Sequence, residues 1–147
     1  MPEFLQEIRA FSTVDEFDPM PYEVDFTGYL SNTAVVRWME VLRVRLMRTH
    51  FSEIDAGARE HLSVITRTEI DYLDTVRFGE PIQGNAWIVE VASARWRIAF
   101  EFRHLSKNRL AIGANQVGTF LDPQSFRPVR VPEVIRRKFF SCKGAMA

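Results

Sequence analysis

A carboxylate just ahead of a predicted helix is the side chain of this sequence best placed for chemistry. Asp25 stands three residues before Gly28 and seven residues before Asn32. A carboxylate can act as a nucleophile or as a general base. It can also close an Asx turn or cap a helix, which are structural roles. Residue type and position alone leave both interpretations of Asp25 open.

The remaining residues of reactive type do not form a recognisable site. His50, His61 and His104 are far apart and match no metal-ligand spacing. Cys142 is the only cysteine, which excludes an internal disulfide and a cysteine-based metal site. No Gly-x-Ser-x-Gly elbow, P-loop or dinucleotide fingerprint is present. We therefore expect structural histidines and neither a metal nor a redox cofactor.

Composition indicates one soluble globular domain. The 147 residues are 46% hydrophobic and show no repeat or linker, which predicts a single domain over 1–147. Residues 1–6 are expected to be a short extension and 133–147 a basic tail. No apolar run approaches roughly 18 residues and no secretory signal is present, so we expect a cytoplasmic protein without a membrane segment.

Charge is balanced overall but divided along the chain. The 19 basic and 19 acidic residues cancel, which argues against a nucleic-acid partner. Residues 1–80 carry 15 acidic and 8 basic side chains, whereas residues 81–147 carry 4 and 11. The second half is therefore the part expected to meet an anion.

Hydrophobic spacing predicts the elements that must position Asp25. Short extended segments are expected at 7–14 and 20–26, followed by a helix over 33–49. Ser31 and Asn32 offer capping side chains at its start. Apolar residues cover much of its circumference, so we expect a largely enclosed core helix. The residues that recur every four positions are Ala34, Trp38, Leu42 and Leu46.

A period of two follows the helix and predicts four long strands. These strands span 62–72, 82–91, 95–104 and 110–121, and their short connections indicate an antiparallel meander. Such a sheet can bury one face only by curling around the single helix. The predicted fold class is α+β, a hot-dog arrangement with a long central helix wrapped by a curved antiparallel sheet.

The segment from Asp25 to Asn32 resembles a family pattern, Asp-x-x-Gly-His-Val-Asn-Asn, which continues with an aromatic and an acid where this chain has Trp38 and Glu40. Four further segments match the same family: Ile70–Leu73, Val76–Glu80, Ile98–Phe102 and Phe126–Pro132. Together the five segments resemble the 4-hydroxybenzoyl-CoA thioesterase-type branch of the hot-dog superfamily over roughly residues 20–135.

The resemblance implies hydrolysis of a fatty or aromatic acyl-CoA thioester, with coenzyme A as part of the substrate. It also implies a homodimer whose sheets join edge to edge, with active sites at the subunit interface, and often a homotetramer. Long apolar-faced strands in so short a chain agree with this, because another subunit would cover their edges.

The resemblance also assigns roles to residues of the motif. It makes Asp25 the nucleophile or general base, the backbone N–H of Asn32 the oxyanion donor, and Gly28 the turn between them. Tyr29 stands where the family often has histidine, and it either lines the acyl site or only packs. Glu40 is a reserve catalytic carboxylate that could instead pair with a neighbouring arginine.

Four arginines of the basic half are candidate ligands for the phosphates of coenzyme A. Arg95 and Arg97 begin a strand, and Arg127 and Arg130 lie near the last matching segment. Guanidinium groups bind phosphate through paired hydrogen bonds. A solvated strand face is the structural alternative for each of them.

Two further functions are compatible with the sequence. The departures at Tyr29 and Ser31 leave open a non-catalytic protein that only binds acyl thioesters. A hydratase or dehydratase is disfavoured, because it would need a catalytic histidine and none lies near the motif.

Overall fold

The computed structural model describes residues 9–52 and 61–146, and the side chains only as far as residue 142. The predicted extension at 1–6 lies outside this part of the chain. The elements in chain order are β1 (Ala10–Phe17), a short 3-10 helix (Pro21–Glu23), α1 (Asn32–His50), β2 (Leu62–Tyr72), β3 (Ile82–Val91), β4 (Trp96–His104), β5 (Arg109–Leu121), β6 (Pro128–Val129) and α2 (Glu133–Met146).

The sheet is antiparallel, with strand order β1-β3-β4-β5-β2 and β6 paired to the end of β5. The α+β hot-dog class is confirmed. The predicted meander of four consecutive strands is wrong, because β2 pairs with β5 and not with β3. Only β3, β4 and β5 follow one another as neighbours.

The chain reaches β3 by passing along the ends of β5 and β4, through a crossover that we define as residues 73–81. Its first residues donate to β5, since the backbone N–H groups of Leu73 and Asp74 lie 2.8 and 3.0 Å from the carbonyl oxygen of Ala111. The carbonyl oxygen of Thr75 then lies 3.1 Å from Nε2 of His104, at the end of β4. These contacts require β2 to lie beside β5.

Helix α1 packs one face on the sheet, where its four-residue repeat is buried as predicted. Trp38 is 4% exposed, and Leu42 and Leu46 are fully buried. The expectation of a largely enclosed helix holds for this face only. On the other face Val36 and Val44 are 44% and 39% exposed, which leaves apolar surface uncovered in a single chain.

Two segments differ from their predicted form. Residues 20–26 are not a strand, because Pro21–Glu23 form a 3-10 turn in which the backbone N–H of Met20 donates to Oε1 of Glu23 at 2.9 Å. The basic segment after residue 132 is a helix rather than a tail. Ile135 and Phe139 on this helix, α2, belong to the hydrophobic core.

Candidate active site

The loop that carries Asp25 is closed by its own backbone. Val24 and Leu30 form an antiparallel bridge, and the N–H of Asp25 donates to the carbonyl oxygen of Tyr29 at 2.8 Å. The N–H of Gly28 returns to the carbonyl oxygen of Asp25 at 3.0 Å. Gly28 has a φ of +83°, a left-handed conformation that glycine adopts without strain. The turn expected at Gly28 is therefore present.

The carboxylate of Asp25 is exposed and held by Thr27. Oδ1 accepts the backbone N–H of Thr27 at 2.8 Å and also its hydroxyl group. These two hydrogen bonds hold the pKa of Asp25 below its ordinary value, so the carboxylate is ionised at neutral pH. A hydrogen bond from the backbone of Tyr29 lowers the pKa of this carboxylate further. The Asx turn therefore coexists with an exposed, ionised carboxylate.

The first turn of α1 presents backbone donors that lack an acceptor. Ser31 is the N-cap, but its hydroxyl lies 2.9 Å from the hydroxyl of Thr33 and caps no backbone N–H. The N–H of Ala34 bonds to the carbonyl oxygen of Ser31 at 3.0 Å. The N–H groups of Asn32 and Thr33 find no acceptor in the described part of the chain. Such donors, at the positive end of the helix dipole, suit an anion.

Glu23 ties this loop to the helix, a role that sequence reasoning missed. Its Oε2 accepts the indole N–H of Trp38 at 2.7 Å, and its carbonyl oxygen accepts the N–H of Ser31 at 2.7 Å. The side chain is only 9% exposed. Glu23 therefore fixes the segment before Asp25 against the first turns of α1. An isolated acid carries no periodic signal that could have identified it.

The crossover forms the other wall of the loop. The N–H of Leu30 bonds to the carbonyl oxygen of Val76 at 2.7 Å, and Tyr29 forms a bridge with Arg77. The guanidinium of Arg77 lies over the Tyr29 ring, 5.4 Å from its centroid, and donates to its hydroxyl at 3.1 Å. Tyr29 thus contacts a neighbour in this chain, and its role in lining the acyl site stays a prediction. Arg77 was not a candidate from the sequence.

Tyr72 connects the end of β2 to the helix start. Its hydroxyl donates to the carbonyl oxygen of Asn32 at 3.1 Å. Partial burial raises the pKa of this phenol, so it stays protonated and able to donate. The contact places one end of β2 beside the candidate oxyanion donor.

Arg95 and Arg97 lie on the sheet face turned away from α1. Both pair with Glu90, at 2.8 Å from Oε1 and 3.4 Å from Oε2. They line a polar depression of about 210 Å³ that also includes Arg67 and Glu69. Their guanidinium charge is partly neutralised there, which matches the structural alternative of a solvated strand face.

Arg127 and Arg130 flank β6, at the opposite end of the sheet from Asp25. Both are exposed, and neither forms an ion pair among the described residues. Along β5, eight residues separate Ile112, which pairs with Tyr72, from Phe120, which pairs with β6. At about 3.4 Å per residue the two ends lie roughly 27 Å apart. One chain therefore does not bring these arginines to the Asp25 loop.

Glu40 is exposed on α1 and does not reach the loop contacts described above. Its charge acts on Arg43, where burial lowers the pKa and Glu40 partly offsets that effect. Arg43 donates to Oε1 of Gln116 at 2.7 Å. The structure thus places Glu40 among the charges of the helix surface.

Comparison with protein-family models identifies the family of this chain. Residues 19–139 match the model of the thioesterase-like superfamily. The chain belongs to the thioesterase-like superfamily. This membership confirms the predicted enzyme class, a thioester hydrolase. Assignment to the 4-hydroxybenzoyl-CoA branch stays a prediction.

Solved structures show the same fold at low sequence identity. A DHNA-CoA thioesterase from Staphylococcus aureus has a TM-score of 0.81 at 18% identity, covering 90% of this chain and 91% of that one. A predicted thioesterase from Bacillus stearothermophilus has a TM-score of 0.75 at 21% identity, covering 86% and 92%. A 12:0-ACP thioesterase from Umbellularia californica has a TM-score of 0.79 at 16% identity, covering 89% of this chain and 50% of that one.

Neither curated sequences nor the helices of the chain add a further assignment. Curated protein sequences gave no significant match to the chain. Neither helix within the described ranges combines the length and apolar character needed to cross a membrane.

Proposed function

We propose that the protein hydrolyses acyl-CoA thioesters at the first turn of α1. The observation that carries this proposal is that one short hydrogen-bonded loop joins an ionised Asp25 to the N–H groups of Asn32 and Thr33, which find no acceptor among the described residues. A thioester needs both groups, because attack on its carbonyl carbon creates an oxyanion. Gly28 gives the loop the turn that connects them.

Asp25 supports either of two routes to the same products. As a general base, the carboxylate takes a proton from a water molecule whose oxygen attacks the acyl carbon. As a nucleophile, it attacks that carbon itself and forms an anhydride, which water then cleaves. In both routes the carbon–sulfur bond breaks, the thiolate leaves and takes up a proton, and the acid is released. The Asn32 N–H holds the oxyanion in each addition step.

A second copy of the chain is proposed to cover β2. This strand lies at the sheet edge, and nine of its eleven residues are exposed, with Val64 and Ile70 as the exceptions. An exposed edge of this length is a template for pairing with another strand. The uncovered Val36 and Val44 of α1 would gain cover from the same partner. The proposed assembly is a homodimer with the two β2 strands antiparallel, or a tetramer of such dimers.

Two-fold pairing of β2 would bring the Arg127 end of one subunit close to the Asp25 loop of the other. Leu62 begins β2 near Leu121, where β6 is attached, whereas Tyr72 ends β2 beside Asn32. In an antiparallel pair each strand start meets the other strand's end. Arg127 and Arg130 would then lie near Asp25 of the partner subunit. We propose that they contact the coenzyme A phosphates, with Arg95 and Arg97 as weaker candidates because of Glu90.

The name of the Staphylococcus aureus neighbour supports coenzyme A as carrier, and that of the plant neighbour an acyl-carrier protein. We take coenzyme A as the carrier, because its phosphates suit the exposed guanidinium groups of Arg127 and Arg130. A second candidate is a non-catalytic thioester-binding protein, which the Tyr29–Arg77 contact favours because it fills the family's histidine position with a paired side chain.

The experiment is a thiol-release assay on the purified protein with aryl, short-chain and long-chain acyl-CoA. We expect steady release from at least one class, with free coenzyme A and the acid in equal amounts. Saturable binding of every ester without release would instead establish the non-catalytic alternative. The same panel presented on acyl-carrier protein identifies the carrier.

A further inference from the structure

An apolar cavity of about 300 Å³ lies beside the second half of α1, between its exposed flank at Val44 and the start of β2, and the Asp25 chemistry does not use it. Helix α1, the sheet and α2 all contribute to its walls. The residues that line it are Arg43, Val44, Met47, Phe51, His61, Leu62, Ser63, Ile65, Ile88, Val91, Trp96, Ile98, Phe120 and Ile135.

The walls of this cavity are mostly apolar and suit a hydrocarbon. Ten of its fourteen lining residues are aliphatic, methionine or phenylalanine. Of the polar ones, Arg43 already donates to Gln116. Nδ1 of His61 and Nε1 of Trp96 are buried without a hydrogen-bond partner among the described residues. The lining therefore suits an alkyl chain over most of its surface and leaves two polar atoms in its wall.

The volume limits the length of that chain. A methylene group occupies roughly the space of one water molecule, about 30 Å³. A cavity of about 300 Å³ accordingly holds about eight to ten carbon atoms, allowing for imperfect filling. Longer chains would have to leave the cavity.

The position of the cavity connects it to the proposed reaction. Within one chain, Asn32 and Val44 are twelve residues apart on α1, or about 18 Å at 1.5 Å per residue. Leu62 and Ile65, at the start of β2, line the cavity. Antiparallel pairing of β2 with its copy brings this strand start toward the other strand's end, where Tyr72 contacts Asn32.

We propose that the cavity holds a straight, saturated acyl chain of about eight to ten carbons, whose thioester is cleaved by Asp25 of the partner subunit. This inference rests on the proposed function, and it names the acyl class that the function leaves open. The occupant is the tail of the substrate, inserted from the dimer interface.

Binding of S-alkyl-CoA thioethers, from butyl to hexadecyl, tests the cavity without hydrolysis. Calorimetry on the intact protein should show affinity rising roughly fourfold with each added methylene, since each buried CH₂ contributes about 0.8 kcal/mol. The rise should stop near ten carbons. Affinity that does not depend on chain length would overturn the proposal, whether or not the protein hydrolyses esters.

A matched pair of variants locates the site. Val44 lines the cavity and Val41 does not, although both are valines of α1 with 39% and 41% exposure. Val44→Phe adds four carbon atoms at the cavity wall, so the chain length of tightest binding should become shorter. Val41→Phe should leave it unchanged. Equal length profiles for both variants would place the chain elsewhere.

The outcomes separate this inference from the proposed function. Length-dependent thioether binding without any thiol release would retain the cavity assignment and contradict the hydrolase. Thiol release confined to aryl esters, with flat thioether binding, would retain the hydrolase and contradict the cavity assignment.

Discussion

The two ends of α1 differ in which groups the fold leaves unsatisfied. At its start, the N–H groups of Asn32 and Thr33 find no acceptor in the described part of the chain, and the loop before them carries an exposed, ionised Asp25. Toward its end, apolar side chains around Val44 and Met47 line a space that no side chain of the described residues fills. One end leaves hydrogen-bonding capacity unused and the other leaves packing incomplete. The first property suits bond cleavage and the second suits binding of a hydrocarbon.

The largest expected effect is the loss of activity when the backbone N–H of Asn32 is removed, which can be tested separately from its side chain. Asn32 is the first residue of α1, a position that tolerates proline, and Ser31 before it is extended with ψ 139°. Asn32→Pro therefore removes the candidate oxyanion donor while keeping the helix. We expect kcat/KM for thioester hydrolysis to fall about 10²–10³-fold.

Asn32→Ala is the control, because it keeps the N–H and removes only the side-chain amide. Its kcat/KM should stay close to that of the natural protein. Equal loss in both variants would assign the effect to the side chain and remove the helix start from the mechanism.

Removal of the Glu23 side chain should destabilise the contact between the Asp25 loop and the start of α1. Glu23→Ala leaves the buried indole N–H of Trp38 without its acceptor and frees the N–H of Met20. Hydrogen bonds to charged groups typically contribute about 1.5–3 kcal/mol, so we expect unfolding free energy to fall by about 2–3 kcal/mol. Urea denaturation measures it. Glu16→Ala, at an exposed acid of β1, should change it by less than about 0.5 kcal/mol.

Gly28 should matter through its backbone conformation alone. A Cβ added there meets no atom within 4 Å, but its φ of +83° strains any other residue. Gly28→Ala should cost about 1–2 kcal/mol of unfolding free energy. Gly113 offers a matched control, because its Cβ would also meet nothing and no positive φ is involved. If Gly113→Ala costs as much as Gly28→Ala, the left-handed turn is not the cause.

The smallest effect concerns the ionisation of Asp25. The hydroxyl of Thr27 is the largest cause that lowers the Asp25 pKa, so Thr27→Ala should raise it toward the ordinary value. A base must be deprotonated, so the acidic limb of kcat/KM against pH should move to higher pH. Thr27→Ser keeps the hydroxyl and should leave the limb in place. Carbon-13 NMR titration of the carboxyl group gives the pKa directly.

The spacing of hydrophobic residues predicted the bounds of the helix and strands well but predicted the pairing of the strands poorly. The helix expected over 33–49 forms over Asn32–His50, and the strand expected over 82–91 has the same bounds in the structure. Periodicity is local, so it survives folding. The β2–β5 pairing depends on contacts between the crossover and distant strand ends, which leave no mark on a local pattern.

The residues of the candidate site also fall into two groups, those that a local sequence pattern identifies and those that it does not. Asp25, Gly28 and Asn32 could be proposed from the sequence because they lie within eight residues and follow the order of the family pattern. Glu23 and Arg77 were missed, because each acts on a residue far from it in sequence or through one isolated charge. Only the fold shows that they hold the loop from two sides.

Steady-state hydrolysis by Asp25→Asn, compared with Asp18→Asn, shows whether Asp25 is the catalytic carboxylate. Both changes replace one exposed carboxylate by its amide, seven residues apart in the chain. We expect Asp25→Asn to lower kcat/KM about 10²–10⁴-fold with unchanged thioether binding, and Asp18→Asn to keep full activity. Equal turnover by the two variants would remove Asp25 from the mechanism.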